Sequence, residues 1–161
     1  MIIILMGVSG SGKTTIGKLL SKRLQIAFVD ADDFHPQQNI NKMRAGIPLT
    51  DNDRKPWLET LRKLIEEHCR KNESLILACS ALKAEYRRAL GVDQQAVRTV
   101  YLKGGRDLLQ KRMQHRKHFF PPALIDSQLS VLEEPDSGLI LYSAEEPQVL
   151  VEKIVRWVTE S

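Results

Sequence analysis

Cysteine is scarce in this chain. Cys69 and Cys79 are its two cysteines in 161 residues, too few for the disulfide framework that staples small secreted domains, so a reducing compartment is expected. Both read as small hydrophobes in or near a core. Long apolar runs are also lacking, and none approaches the roughly 18–20 residues that span a bilayer. The first run, Ile2–Met6, is too short for a signal-peptide core and has no charged stretch before it, so a cytoplasmic location without membrane association is expected. Nor does one sign of charge dominate: 24 Lys+Arg stand against 20 Asp+Glu, a net +4. The basic residues are scattered, and few lie beside the aromatics that make up 6% of the chain, so no nucleic-acid partner is expected. The mild excess serves a small anionic substrate equally well. Repeats, low-complexity tracts and linkers are absent, which makes residues 1–161 one domain, as is usual for roughly 100–200 residues.

What is present is an alternation. Ile2–Met6 is a short continuous apolar run, the pattern of a strand buried on both faces. Ile16, Leu19, Leu20 and Leu24 follow at helical spacing, then a second strand over 25–29 ending at Asp30. Pro36 can open a helix that Gly46-Ile47-Pro48 closes. Leu58, Leu61, Leu64 and Ile65 mark a longer helix stopped at Asn72. Strands are predicted over 75–79, 97–102 and 139–142, with helices over 81–90, from the fourth strand to about His115, and around Leu150, Val151, Ile154, Val155 and Val158. Strands alternating with helices predict parallel βαβ units, hence a three-layer α/β/α fold on a five-stranded parallel sheet.

The sharpest signal is Gly7-Val8-Ser9-Gly10-Ser11-Gly12-Lys13-Thr14, a full match to the phosphate-binding loop pattern between a buried strand and an amphipathic helix. Glycine freely takes φ > 0, which lets the backbone wrap an anion, and the N–H groups of residues 10–14 then face it at a helix N-terminus. Lys13 is placed to reach β- and γ-phosphates, and the Thr14 hydroxyl to hold Mg2+. With Thr15, these residues form the candidate nucleotide site. Asp30 and Asp32, at the end of the second strand, are expected in the same crevice, one near Mg2+ and one accepting the proton of an acceptor hydroxyl. The stretch from His35 to Leu58 is rich in donors and acceptors. Arg54 offers a planar fork for a carboxylate, although an ion pair with Asp51 or Asp53 would also explain it. Trp57 reads as core rather than substrate platform.

Four blocks carry a family resemblance. They are the phosphate loop; Asp30-x-Asp32-x-x-His35-Pro36-x-x-Asn39-x-x-Lys42-Met43; Gly46-x-Pro48-Leu49-x-Asp51-x-Asp53-Arg54-x-Pro56-Trp57-Leu58; and Cys79-Ser80-Ala81-Leu82-Lys83-x-x-Tyr86-Arg87. The chain resembles the gluconate kinases, P-loop small-molecule kinases related in fold to shikimate kinase. A fifth block, His118-Phe119-Phe120-Pro121 with Ser127-Gln128-Leu129, resembles that family's lid and the helix after it. The resemblance implies transfer of the ATP γ-phosphoryl group to D-gluconate, giving 6-phosphogluconate, with Mg2+. It implies Asp32 as catalytic carboxylate, and His35, Arg54, Ser80, Lys83 and Arg87 as the sugar-acid pocket. It implies arginines flanking a small lid at about 116–126: Arg116 in catalysis and Arg112 on the nucleotide. Pro147 and Gln148 fall where related kinases hold the base. Ala31 stands where the family pattern has glycine, and the glycine expected before His118 is missing. The oligomeric state, a homodimer included, is left open.

Two other readings compete. A shikimate kinase-like enzyme should carry a glycine run after the third strand, where this chain has Ala78-Cys79-Ser80-Ala81-Leu82-Lys83. A non-catalytic nucleotide-binding switch reading GTP should carry N-K-x-D, and Asn41-Lys42-Met43-Arg44 has arginine where aspartate belongs.

Overall fold

The structure, a computed structural model, describes residues 1–92, 94–115 and 124–161. Its centre is strand β1 (Ile2–Met6), every residue of which is fully buried. Successive strand side chains point to opposite faces, and β1 divides accordingly. Ile2, Ile4 and Met6 join Trp57, Leu61 and Ile65 on one side of the sheet, while Ile3 and Leu5 join Ile16, Leu20, Leu150 and Ile154 on the other. At about 1.5–3 kcal/mol for each large apolar side chain buried, this strand alone is a major part of the core.

The sheet is parallel, with order β2-β3-β1-β4-β5, where β2 is Ala27–Asp30, β3 Leu75–Ala78, β4 Val97–Lys103 and β5 Leu139–Tyr142. Helices α1 (Lys13–Leu24) and α7 (Pro147–Thr159) cover one face, and α3 (Asp51–Arg70) with α4 (Ala84–Ala89) covers the other. Between them in sequence lie α2 (Gln37–Arg44), α5 (Arg106–Gln114) and α6 (Leu124–Val131). This is the three-layer α/β/α architecture read from the sequence. Among the described residues, no helix is long and apolar enough to cross a membrane.

Three elements start two or more residues away from the sequence reading. The second strand begins at Ala27, because Gln25 adopts the left-handed conformation (φ 58°) that ends α1. The long helix begins at Asp51, well before its first apolar marker, because Thr50 and Asp53 form a reciprocal capping box. The helix expected from residue 81 begins only at Ala84, because Ala81 is held at φ 45°. These differences shape the site. The acidic block 51–54 becomes the first turn of α3, and the segment 79–83 becomes a loop at the carboxyl end of β3.

Strand β1 leads to α1 on one face, while its neighbour β3 leads to α4 on the other. Where such connections diverge, an open α/β sheet has its binding crevice.

Candidate active site

The phosphate loop wraps the amino end of α1. Gly12 caps the helix at φ 99° and Gly10 stands at φ 85°. A Cβ on Gly10 would lie 3.0 Å from the Leu109 carbonyl oxygen, so both conformation and space call for glycine. Val8 packs beneath the loop on Leu82, Leu109, Met113 and Ile125. Lys13 is held against the loop, its Nζ donating to Gly7 O at 2.8 Å and Val8 O at 3.0 Å. Gly7 N–H donates to Ser80 O at 3.3 Å, which ties the loop to the segment after β3.

The Thr14 hydroxyl donates to Asp30 Oδ2 at 2.8 Å, and Asp30 Oδ1 accepts from Asp32 N–H at 3.0 Å. A hydroxyl and a carboxylate in contact are hard oxygen donors of the kind Mg2+ takes, since it keeps several waters and uses one or two protein oxygens. The predicted metal pair therefore fits its ion. Ala31 lies in a 3-10 turn without positive φ, so the departure from the family's glycine needs no backbone change.

Next to this pair opens a cavity of about 360 Å³ lined by Asp32, His35, Arg54, Ser80 and Lys83. Asp32 is the expected catalytic carboxylate, and the other four are among the five residues expected in the sugar-acid pocket. His35 stacks on Trp57 with ring centroids 4.2 Å apart, and the Trp57 N–H donates to Ala31 O at 2.7 Å. Trp57 is therefore both core, as read from the sequence, and a lining residue of the cavity. Burial and then the Arg54 charge push the His35 pKa down to about 4, so the ring is neutral at neutral pH. Arg54 Nη1 donates to Leu49 O at 2.7 Å and Tyr86 Oη at 3.3 Å; its hydrogen bonds go there rather than to Asp51 or Asp53. Lys83 pairs with Asp51 at 3.0 Å, and Asp51 also accepts from the Tyr86 hydroxyl. These two hydrogen bonds hold the Asp51 carboxyl below its ordinary range.

Arg87 is the remaining residue expected in that pocket, and it is turned away. It is 6% exposed and does not line the cavity. Its Nη1 donates to Ala81 O at 2.8 Å and Leu82 O at 3.2 Å. These carbonyls belong to the loop that carries Ala81 in its left-handed conformation, which is costly for a residue with a Cβ. A buried guanidinium needs acceptors, and here the backbone supplies them. Arg87 braces the loop that presents Ser80.

On the other side of the phosphate loop, a second cavity of about 310 Å³ is lined by Gly10, Gly12, Thr15, Arg112, Ser143 and Pro147, among others. Arg112 bridges it, donating to Gly10 O at 3.1 Å and Ser143 O at 2.7 Å. Its predicted place beside the nucleotide thus coincides with a cleft. Pro147 lines that cleft and Gln148 does not. Arg116 lies outside the described residues, as do 116–123 of the lid expected at about 116–126; residues 124–126 open α6.

Gln128 was named in the sequence only as part of a block. Its amide oxygen accepts from Ser9 N–H at 2.8 Å, its amide nitrogen donates to Ser9 Oγ at 2.9 Å, and it also lines the cavity that holds Asp32 and Arg54. Tyr86 and Asp51, which hold Arg54 and Lys83, likewise carry no signal in the sequence for these contacts. No spacing rule connects these residues, since Ser9 and Gln128 are 119 positions apart.

Comparison with known proteins bears on the family and the fold. The shikimate kinase family model matches residues 9–154. The probable gluconokinase of Dictyostelium discoideum is 48% identical over 142 residues, covering 84% of this chain and 71% of that one. The thermosensitive gluconokinase of Escherichia coli K12 is 47% identical, covering 83% and 72%. The crystal structure of a sugar kinase from Janibacter sp. HTCC2649 superposes with a TM-score of 0.91 at 41% identity, over 98% of this chain and 94% of that one.

Proposed function

The chain belongs to the gluconokinase family, built on the shikimate kinase fold, and we propose that it transfers the γ-phosphoryl group of ATP, with Mg2+, to a terminal hydroxyl of D-gluconate. The observation that carries this reading is a juxtaposition. Thr14 of the phosphate loop touches Asp30, and Asp30 in turn orients the backbone of Asp32, which lines a cavity containing Arg54 and Lys83. A phosphate site and a polar cavity with cations thus meet at one pair of carboxylates.

Each residue then has a task. The loop N–H groups and Lys13 bind the triphosphate and stabilise charge on the transferring group. Thr14 and Asp30 would hold Mg2+, which when bound helps to neutralise the phosphate oxygens. Asp32 orients the acceptor hydroxyl and takes its proton. Arg54, whose hydrogen bonds go to neutral groups, offers positive charge to the carboxylate of a sugar acid, with Lys83 beside it in its pair with Asp51; a neutral sugar leaves the Arg54 charge unanswered. Arg112 supports the nucleotide side, and Arg116 is assigned to the lid.

The test is ADP release with Mg-ATP and a panel of acceptors. Gluconate should stimulate turnover far more than glucose or shikimate. Equal stimulation by glucose, or stimulation by shikimate alone, overturns the reading.

A further inference from the structure

Asn39 is fully buried in α2. Its Nδ2 lies 2.9 Å from the carbonyl oxygen of Asp53 and 3.3 Å from Nδ1 of His35. A backbone carbonyl can only accept, so the atom facing Asp53 is the amide nitrogen; turning the amide over would set oxygen against oxygen. An amide nitrogen carries two hydrogens and no available lone pair, so the same atom donates to His35 as well. Nδ1 of His35 is therefore the acceptor, and the proton of the neutral imidazole sits on Nε2.

The ring is fixed in that orientation. Trp57 stacks against it with planes 14° apart, and the His35 side chain is 4% exposed. Nε2 lies 3.9 Å from Asp32 Oδ1, and both residues line the cavity. Among the described residues, the charged groups acting on the ring are Asp30 and Asp32 from the segment after β2 and Arg54 from α3. An Nε2 that carries the proton has no free lone pair and cannot serve as a base. Beside Asp32 it is a donor.

We propose that Asn39 is a positioning residue that fixes His35 as its Nε2–H tautomer, making His35 a donor to a gluconate hydroxyl and leaving proton acceptance to Asp32. The identity of the acceptor molecule rests on the function proposed above; the tautomer does not.

Long-range proton–nitrogen NMR correlation on the 15N-histidine-labelled protein reads the tautomer directly. The expected spectrum of His35 has a pyrrole-like Nε2 and a pyridine-like Nδ1; the reverse pattern overturns the proposal. Asn39→Asp replaces the donor with an acceptor and should move a proton onto Nδ1, with the gluconate KM raised about tenfold, the scale of one specific hydrogen bond. An unchanged nitrogen pattern in that variant counts against Asn39 as the cause. Should Asn39→Asp not fold, the wild-type spectrum and a second pair of variants still decide. His35→Gln retains an N–H donor and should bind gluconate more tightly than His35→Leu, while equal KM values for the two sink the donor role. A wild-type enzyme that ignores gluconate overturns the substrate reading and leaves the NMR result standing.

Discussion

Gln128 uses both ends of its amide on Ser9, accepting from its N–H at 2.8 Å and donating to its hydroxyl at 2.9 Å. Through this pair α6, a wall of the acceptor cavity, is fastened to the phosphate loop. One side chain therefore touches both the phosphate loop and that cavity. Gln128→Ala should cost about 1 kcal/mol of stability, the net worth of a typical hydrogen bond, and raise the KM for ATP. Gln128→Glu should raise it further, because a carboxylate beside the loop repels phosphate. Thermal unfolding and initial-rate kinetics of the two variants check this ordering, and a Glu variant better than the Ala variant speaks against it.

Asp32 is assigned the proton of the acceptor, and Asp30 the metal. Asp32→Asn keeps the shape of the side chain and removes its basicity. Its kcat should fall at least about 10²-fold, as expected for lost general-base help, with ATP affinity little changed. Loss of ATP binding with normal turnover at saturating ATP would exchange the roles of the two aspartates.

Arg87 braces the loop after β3 from inside the protein. Arg87→Met keeps much of the volume but takes the buried donor from the carbonyl oxygen of Ala81, while that of Leu82 keeps the Glu133 N–H at 2.8 Å. A loss of roughly 1–3 kcal/mol is expected. Denaturant unfolding should show this loss, whereas a purely substrate-binding arginine would leave stability intact and change only the KM for gluconate.

The acid side of the stability profile should carry the mark of His35. Its pKa falls from 6.5 to about 4 in the folded protein, chiefly through burial. Between these values the unfolded chain holds the extra proton, so stability rises with pH across that window and is lost as pH falls from 6.5 towards 4. His35→Gln should flatten that part of the curve when unfolding is followed at pH 4.5, 5.5 and 7, relative to the parent. An unchanged slope would place the ring in water.

Several features were legible in the sequence because their causes lie within a few residues of one another. The phosphate loop is specified by glycines that permit positive φ and by a lysine and a threonine at the start of a helix. The five strands are specified by short apolar runs, and the β1 run is buried on both faces as its composition demands. Asp30 and Asp32 were placed by the rule that strand ends face the crevice. Tertiary structure decided the rest. Arginines 54 and 87 look equally available in sequence, yet Arg54 lines the cavity, while Arg87 is claimed by two carbonyls of a left-handed turn that no pattern in residues 79–83 announced. The tautomer of His35 depends on an amide whose orientation is set by Asp53, 14 positions further on. Where a long polar side chain ends up is a competition among acceptors brought near it by folding, and in a buried setting an unmet hydrogen bond costs more than any local preference supplies.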